Sequence, residues 1–479
     1  MTDLSSSLLV CVPELILAVG AMIVLLLGAF LGHRSTGTIS MLVGAVLVGA
    51  AFAAALGEQG VAFHGAFVMD EMAAFAKVAI YLASALAVVL GQGWMDRAGE
   101  RKFEFPVLIL LATIGMSMMV SAGDMISLYV SVELQSLALY VLAAFQRDDA
   151  RASEAGLKYF VLGALSSGIL LYGISLVYGF AGSMNFTAIA ASVRGGAGPG
   201  VVFGLVFLIC GMAFKASAAP FHMWTPDVYE GACTPVVAFI AAAPKLAAMV
   251  LFLRALESGF FGAYAQWRQV VLVISVISFV VGAFGGLMQR DLKRLLAYSS
   301  IANIGYALLG IASGTVMGVQ AMLVFMVLYM VDVTGFFACL LALSRNGRPV
   351  TNIADLAGLK RDKPGIALAL TALSLSVLGM PPFSGFWSKF YVFKAAFASG
   401  LWEVAVAGLL ASVVAAFYYL RIIKIMWFDA SVGAATDRSP SEARWIAIAA
   451  SVFSFPLVLV ALYYLDRSAG LAARGLGFG

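Results

Sequence analysis

The chain has 479 residues, a formal net charge of +4, 62% apolar residues and only 11% Asp, Glu, Lys or Arg, where a soluble domain carries roughly 25% charged residues. That composition excludes an ordinary soluble fold, and no basic patch interleaved with aromatics points to nucleic acid. Cys11, Cys210, Cys233 and Cys339 form no CxxC pair, there are three histidines, and no GxGxxG or GxxxxGK[ST] stretch occurs, so no disulfide, metal, haem or nucleotide site is expected in this chain.

Long charge-free runs follow one another: Ser35–Gly57, Phe105–Gly123, Tyr159–Val193, Leu295–Val331 and Trp445–Leu465. About 20 apolar residues cross a bilayer as one helix, and some of these runs hold two. The pattern predicts an all-α polytopic protein, one membrane domain over residues 1–479. Fourteen spans are expected, near residues 8–31, 35–56, 71–93, 106–122, 124–145, 154–181, 199–229, 233–256, 268–288, 293–312, 316–344, 365–399, 402–427 and 444–466. The stretch Leu15–Leu31 has no basic segment before it, so it reads as a retained first helix rather than a cleaved signal. The longest polar connection, Ser344–Lys363, has room for a short surface helix.

Basic residues give the orientation. With loops numbered by the helix they follow, 18 of the 23 Lys and Arg in loops and tails fall on odd loops. The positive-inside rule then puts odd loops in the cytoplasm and both termini outside. The remaining six cations, Lys77, Lys158, Lys215, Lys245, Lys389 and Lys394, fall within spans, and all are lysines.

Two spans exceed 30 residues and carry proline in the middle. Pro220 cannot donate to the carbonyl of Ala216, and Pro381 and Pro382 leave the carbonyls of Val377 and Leu378 free. Unpaired backbone groups in lipid cost several kcal/mol unless protein or a wet cavity surrounds them. Helices seven and twelve are therefore expected to be broken and to line a polar interior. Their sequences echo each other, "AAPFHMWTPDVYEG" against "MPPFSGFWSKFYVF", five helices apart. A repeat of five must be inverted in the membrane. This predicts two inverted repeats, helices 4–8 over residues 106–256 and helices 9–13 over residues 268–427.

Charges at mid-depth are functional candidates by default. Glu133 lies nine residues past Asp124, about 13 Å into a core about 30 Å thick. Lys215, Lys245 and Lys389 are also deep. His222 stands seven residues from Lys215, and Lys158 is within snorkelling reach of an interface; each is open to a functional or a structural reading. Lys77 and Lys394 read as snorkelling, Glu14 as interfacial, and Asp332 has no partner visible in the sequence. The preference for lysine has a reason. Arginine stays protonated, whereas a buried lysine releases its proton readily. A shift of about three pKa units is about 4 kcal/mol, and moving one charge across about 200 mV costs about 4.6 kcal/mol. A Lys with a nearby carboxylate thus has the energy scale of a proton switch.

The stretches "FKASAAPFHMWTPDVYEGACTPVVAFIAAAPKLA" (214–247), "RDLKRLLAYSSIANIGY" (290–306) and "LGMPPFSGFWSKFYVF" (378–393) resemble the antiporter-like membrane subunits of respiratory complex I. The resemblance runs over essentially the whole chain. It is weaker to the larger type with extra C-terminal helices and a lateral helix, and to the type with glutamate where Lys389 stands. It implies proton translocation driven by NADH oxidation and quinone reduction in partner subunits. Glu133, Lys215, Lys245 and Lys389 would be the relay groups, with Lys158 and His222 at auxiliary positions. The chain would hold no cofactor; FMN and iron–sulfur clusters would sit on partner subunits. Expected partners are the antiporter-like subunits L and M, small membrane subunits and lipid. Asn303 departs from the histidine frequent there, which weakens a proton role for helix ten. A subunit of an Mrp-type sodium/proton antiporter shares these motifs and is the alternative; a solute transporter without redox role fits less well.

Overall fold

The structure, a computed structural model, describes residues 4–345, 348–431 and 441–475. It is helical nearly throughout. We label the segments α1 (Val12–Leu31), α2 (Thr36–Leu56), α3 (Glu71–Ala98), α4 (Glu104–Val120), α5 (Met125–Ala143) and α6 (Ala150–Ala181). Then come α7a (Pro199–Ala216) and α7b (Trp224–Gly231), α8a (Thr234–Ala241) and α8b (Ala243–Arg254), α9 (Tyr264–Leu287), α10 (Leu292–Ala312) and α11 (Val316–Leu341). Last are α12a (Pro364–Leu378) and α12b (Ser384–Ala398), α13 (Trp402–Phe428), α14a (Ser441–Val452) and α14b (Val458–Arg474). Among the described residues, 12 helices are long and apolar enough to cross a membrane, counting α8 and α14 through their interruptions. The shorter apolar helices α4 and α12a, of 17 and 15 residues, stand at two further expected spans.

Polar residues just outside the apolar runs fix the helix starts. Asp70, Asp124 and Asp291 each accept a backbone N–H from the first turn of α3, α5 and α10, at 2.8, 2.6 and 2.9 Å, a cap worth about 1 kcal/mol. A feature without a hydropathy signal is the small hairpin Gly60–Ala62 with Phe67–Met69 between α2 and α3. The connection over Ser344–Lys363 holds a 3₁₀ turn, Ile353–Leu356, and a four-residue helix, Leu359–Asp362.

The loops sort into two faces. Even connections meet one another: Phe67 bridges Ala122, Asp124 bridges Asn185, and Arg254 grips Asp70 with two hydrogen bonds of 3.0 and 2.7 Å. Odd connections do the same: His33 approaches Glu104, Gln146 donates to Glu100, and Asp291 bridges Asn352. Near the C-terminal end, Gly475 lies by Glu71, on the even face. Arg438 and the end of the chain at Gly479, which bear on the charge pattern, lie outside the described residues.

Both expected breaks are present. The first half of helix seven stops at Ala216, and Ser217 adopts a left-handed backbone, φ 66°. The first half of helix twelve stops at Gly379, φ 96°. A side chain on Gly379 would be strained by that angle, and its Cβ would lie 3.0 Å from the stem of Lys389. Two further breaks were not expected. α8 is interrupted at Ala242, two residues before Pro244, and α14 at Phe453–Leu457, which contains Pro456. The segments α8, α10 and α11 are almost wholly enclosed. The outer helices turn large apolar residues outward, Phe30, Leu165, Phe284 and Val413 among them, as a lipid-facing surface requires.

Candidate functional site

The enclosed helices and the two breaks hold the buried charges. In the first half, Glu133 projects from α5, and Ser167 of α6 donates a short hydrogen bond to it. Lys215, in the last turn of α7a, donates to Ser136 at 2.8 Å and to Tyr140 and Ser167 at 3.3 Å. Its ammonium is 3.9 Å from the Glu133 carboxylate. Ser167 thus touches both members of the pair. The lysine side chain is 6% exposed and the glutamate 26%. A buried ammonium needs both a counter-charge and hydrogen-bond acceptors. Lys215 has one carboxylate and three hydroxyls.

Lys245, fully buried on α8b, reaches back to the break. Its ammonium lies 3.5 Å from the carbonyl of Ala216 and 5.8 Å from the centre of the Tyr229 ring. Ala216 is the carbonyl that Pro220 was expected to free. Beyond it, the buried hydroxyls of Tyr229, Ser300 and Tyr329 are near one another without a close hydrogen-bond partner. Such orphaned groups in a polar interior are positions where water is expected to bind.

In the second half, Lys389 is buried on α12b. It donates to the carbonyls of Val377 and Leu378 at 3.0 and 2.9 Å and to Ser412 of α13 at 2.9 Å. Those two carbonyls are the ones freed by Pro381 and Pro382. The ammonium also lies 5.2 Å from the centre of the Tyr306 ring on α10. Asn303 is turned to its own helix, donating to the Ser299 carbonyl at 2.9 Å.

The auxiliary residues separate from this line. Lys158 is 44% exposed and bridges Glu154 at 2.7 Å and Asp227 at 2.9 Å. Asp227 is also gripped by Arg294 at 2.7 Å, and Arg294 reaches Glu230 at 2.9 Å. This network sits by the odd connections, so Lys158 belongs to a surface cluster rather than to the buried row. His222 is half-buried between α7a and α7b, and its Nδ1 has no hydrogen-bond partner. The structure does not bring it into bonding contact with Lys215. Lys394 is exposed, in line with its reading as a snorkelling residue.

Two expectations are corrected. Lys77 does not snorkel and Glu14 is not interfacial: Lys77 is fully buried, and the two pair at 2.7 Å between α3 and α1. Their ends are met by Ser117 of α4 donating to Glu14, and by Tyr81, which hydrogen-bonds Ser117. The close packing of α1 and α3 on α4 sends the lysine inward, a tertiary effect that its shallow sequence position conceals. Asp332 of α11 is also partnered, by the hydroxyls of Ser376, Ser384 and Ser454. The sequence signal was the serines flanking the prolines of α12 and α14. Among the described residues no group of three or more His, Cys, Asp or Glu could hold a metal ion.

The comparisons agree with this architecture. A family model described as NADH:quinone oxidoreductase/Mrp antiporter, transmembrane region, matches residues 122–415. A NADH-quinone oxidoreductase subunit N from a Caulobacter species is 64% identical over 391 residues, covering 80% of this chain and 81% of that relative. A chain from the respiratory complex I of Thermus thermophilus superposes with a TM-score of 0.83 at 34% identity, over 96% of this chain and 99% of its own. A chain of the Mrp complex from a Dietzia species superposes equally well, TM-score 0.83, at 23% identity over 98% of each chain, which shows a shared fold alone. The antiporter alternative therefore shares the architecture, while the higher sequence identity lies with subunit N. The chain belongs to the NADH:quinone oxidoreductase/Mrp antiporter membrane family, on its NADH-quinone oxidoreductase subunit N branch.

Proposed function

We propose that this chain translocates protons as a membrane subunit of NADH-quinone oxidoreductase, with Glu133, Lys215, Lys245 and Lys389 as the groups that hold and pass them. One observation carries the reading. The carbonyls released by the two proline breaks are each met by a buried lysine, Lys245 at Ala216 and Lys389 at Val377 and Leu378. Carbonyl oxygens and water stabilise a protonated amine without a fixed counter-ion, so each lysine can exist charged or neutral. Glu133 is the other kind of partner. It stabilises charge on Lys215 directly and through Ser167. A change in its distance or protonation changes what Lys215 holds. The hydroxyls of Tyr229, Ser300 and Tyr329 lie beyond Lys245, and that of Tyr306 by Lys389, as carriers between the two halves.

The wider arrangement belongs to the same proposal. Fourteen crossings, with odd connections in the cytoplasm and both termini periplasmic, fit the segregation of loop contacts and the excess of basic residues on odd loops. Residues 106–256 and 268–427 form two inverted repeats, each with one proline-broken helix. The cytoplasmic mouth is marked by Lys158, Asp227 and Arg294, with His222 just inside it. The chain assembles with the other complex I membrane subunits, the antiporter-like subunits L and M and small membrane subunits among them. FMN and iron–sulfur clusters belong to partner subunits, which supply the driving electron transfer.

The test is NADH-driven proton uptake by inverted membrane vesicles carrying Lys245→Ala in the assembled complex. The expected result is normal assembly on native gels with proton uptake reduced at least about tenfold, because the buried ammonium at the centre of the row is gone. Normal uptake in a well-assembled variant would remove Lys245 from the path.

A further inference from the structure

Asp332 lies deep in α11, 1% exposed, and is not one of the groups assigned to the path. Its surroundings are unusual for a carboxylate in a membrane interior. Ser376 donates to Oδ2 at 2.7 Å, and Ser384 lies 2.9 Å from Oδ1 and 3.1 Å from Oδ2. Ser454 donates to Oδ1 at 2.5 Å. No lysine or arginine bridges it among the described residues.

The positions of these serines matter more than their number. Ser376 sits in the last turn of α12a, and Ser384 is the first residue of α12b. They face each other across the break at 2.7 Å, and the hydroxyl of Ser376 also accepts the Gly385 N–H at 2.9 Å. Ser454 comes from the break in α14. One carboxylate therefore ties both ends of the twelfth-helix break to each other and to a second broken helix. Between the two tied residues lie Val377 and Leu378, whose carbonyls receive Lys389. Lys389 is within electrostatic reach of the carboxylate, though not bridged to it.

We propose that Asp332 is the positioning residue of the second half: its negative charge fixes the two ends of the break through Ser376 and Ser384 and is the counter-charge against which Lys389 holds its proton. An anionic acceptor is needed because three hydroxyls point at it together. A neutral amide at the same place accepts with one oxygen and must donate with its nitrogen, so it cannot satisfy all three in the same arrangement. The charge also supplies what Lys389 otherwise lacks, since its direct partners are all neutral. Asp332 acts on Lys389 through the geometry of the break and through space, without touching it.

This inference rests on Lys389 belonging to the proton path, and the experiment separates the two. Asp332→Asn keeps the size and removes the charge. Asp332→Glu keeps the charge. Ser376→Ala keeps the charge and removes one tie. Lys389→Ala reports on the path itself. Each is measured in the whole complex, in vesicles, for assembly, NADH–quinone reductase turnover and proton uptake. With assembly normal, Asp332→Asn is expected to lower proton uptake about fivefold or more, Asp332→Glu to retain at least about half, and Ser376→Ala to fall between them. Normal uptake in Asp332→Asn with Lys389→Ala impaired overturns this inference and leaves the path standing. Normal uptake in both overturns the role of Lys389 as well. Equal damage from Glu and Asn, or failure of the Asn variant to assemble, also overturns it, because the carboxylate would then be part of the packed core rather than a charge acting on Lys389.

Discussion

The two broken helices solve one problem in different ways. In the first half the lysine beside the break, Lys215, looks away from it, toward α5 and α6, where a carboxylate and three hydroxyls receive it. The freed carbonyl of Ala216 is left to Lys245, from another helix, at the long distance of 3.5 Å. In the second half a single lysine does both tasks. Lys389 caps the freed carbonyls of its own helix and faces a carboxylate, Asp332, held one layer away behind serines. The first half thus separates the charge pair from the break, and the second fuses them. A charge pair set apart from the break can change partner without disturbing the helix. A lysine that caps the break cannot change state without changing how the break is held. On the proposed path, this difference would suit the first half to exchange with Glu133 and the second to a step coupled to local geometry.

The largest effects are expected where the comparison is strongest. Glu133→Ala and Lys215→Ala each strand a buried partner, which costs about 3–5 kcal/mol or forces it neutral. Proton uptake by assembled complex in vesicles should fall at least about tenfold in either variant, and the double variant should be no worse than the singles, because the pair works as a unit. Additive losses would show that the two act separately. Next comes Ser167→Ala. It removes the hydroxyl shared by Glu133 and Lys215 and should reduce uptake about three- to tenfold, equivalent to about 1 kcal/mol, the net scale of a typical hydrogen bond. Replacing Ser412, one of three groups around Lys389, should matter less, under about threefold, because the two carbonyls remain. The smallest effect belongs to Lys158→Ala. An exposed ion pair contributes about 0–1 kcal/mol, and Arg294 still holds Asp227, so uptake should change by less than about twofold. A tenfold loss there would move the exposed cluster into the path.

Much of this was readable from residues alone, and the reasons differ by element. The helices are legible because hydrocarbon demands length and apolarity together. Pro220 and Pro381-Pro382 marked their breaks because a missing N–H has a definite address, and the carbonyls named from that rule are the ones the lysines occupy. Glu133 and Lys215 were legible as candidates because each lies deep in an apolar span, where a charge cannot reach water. The failures share a cause. Lys77 and Glu14 lie near helix ends in sequence, and only the packing of α1 and α3 on α4 shows that they are sealed inside. Asp332 is one carboxylate among apolar residues until α12 and α14 bring three serines to it from positions 44, 52 and 122 residues away. The break in α14 was concealed by a span of adequate length. The hairpin between α2 and α3 is held by backbone pairing to the α4–α5 turn, which leaves no mark in hydropathy.

Lys389→Arg tests the central claim most directly. Arginine keeps the positive charge and can donate to the carbonyls of Val377 and Leu378, but it does not release its proton, its pKa staying above about 12. NADH–quinone reductase turnover and proton uptake should be measured in the same vesicles, with assembly checked on native gels. If Lys389 works by releasing its proton, the arginine variant assembles but loses proton uptake as completely as Lys389→Ala, and reductase turnover falls with it. Wild-type values of both in Lys389→Arg would make this lysine a fixed clamp on the broken helix and would contradict the account.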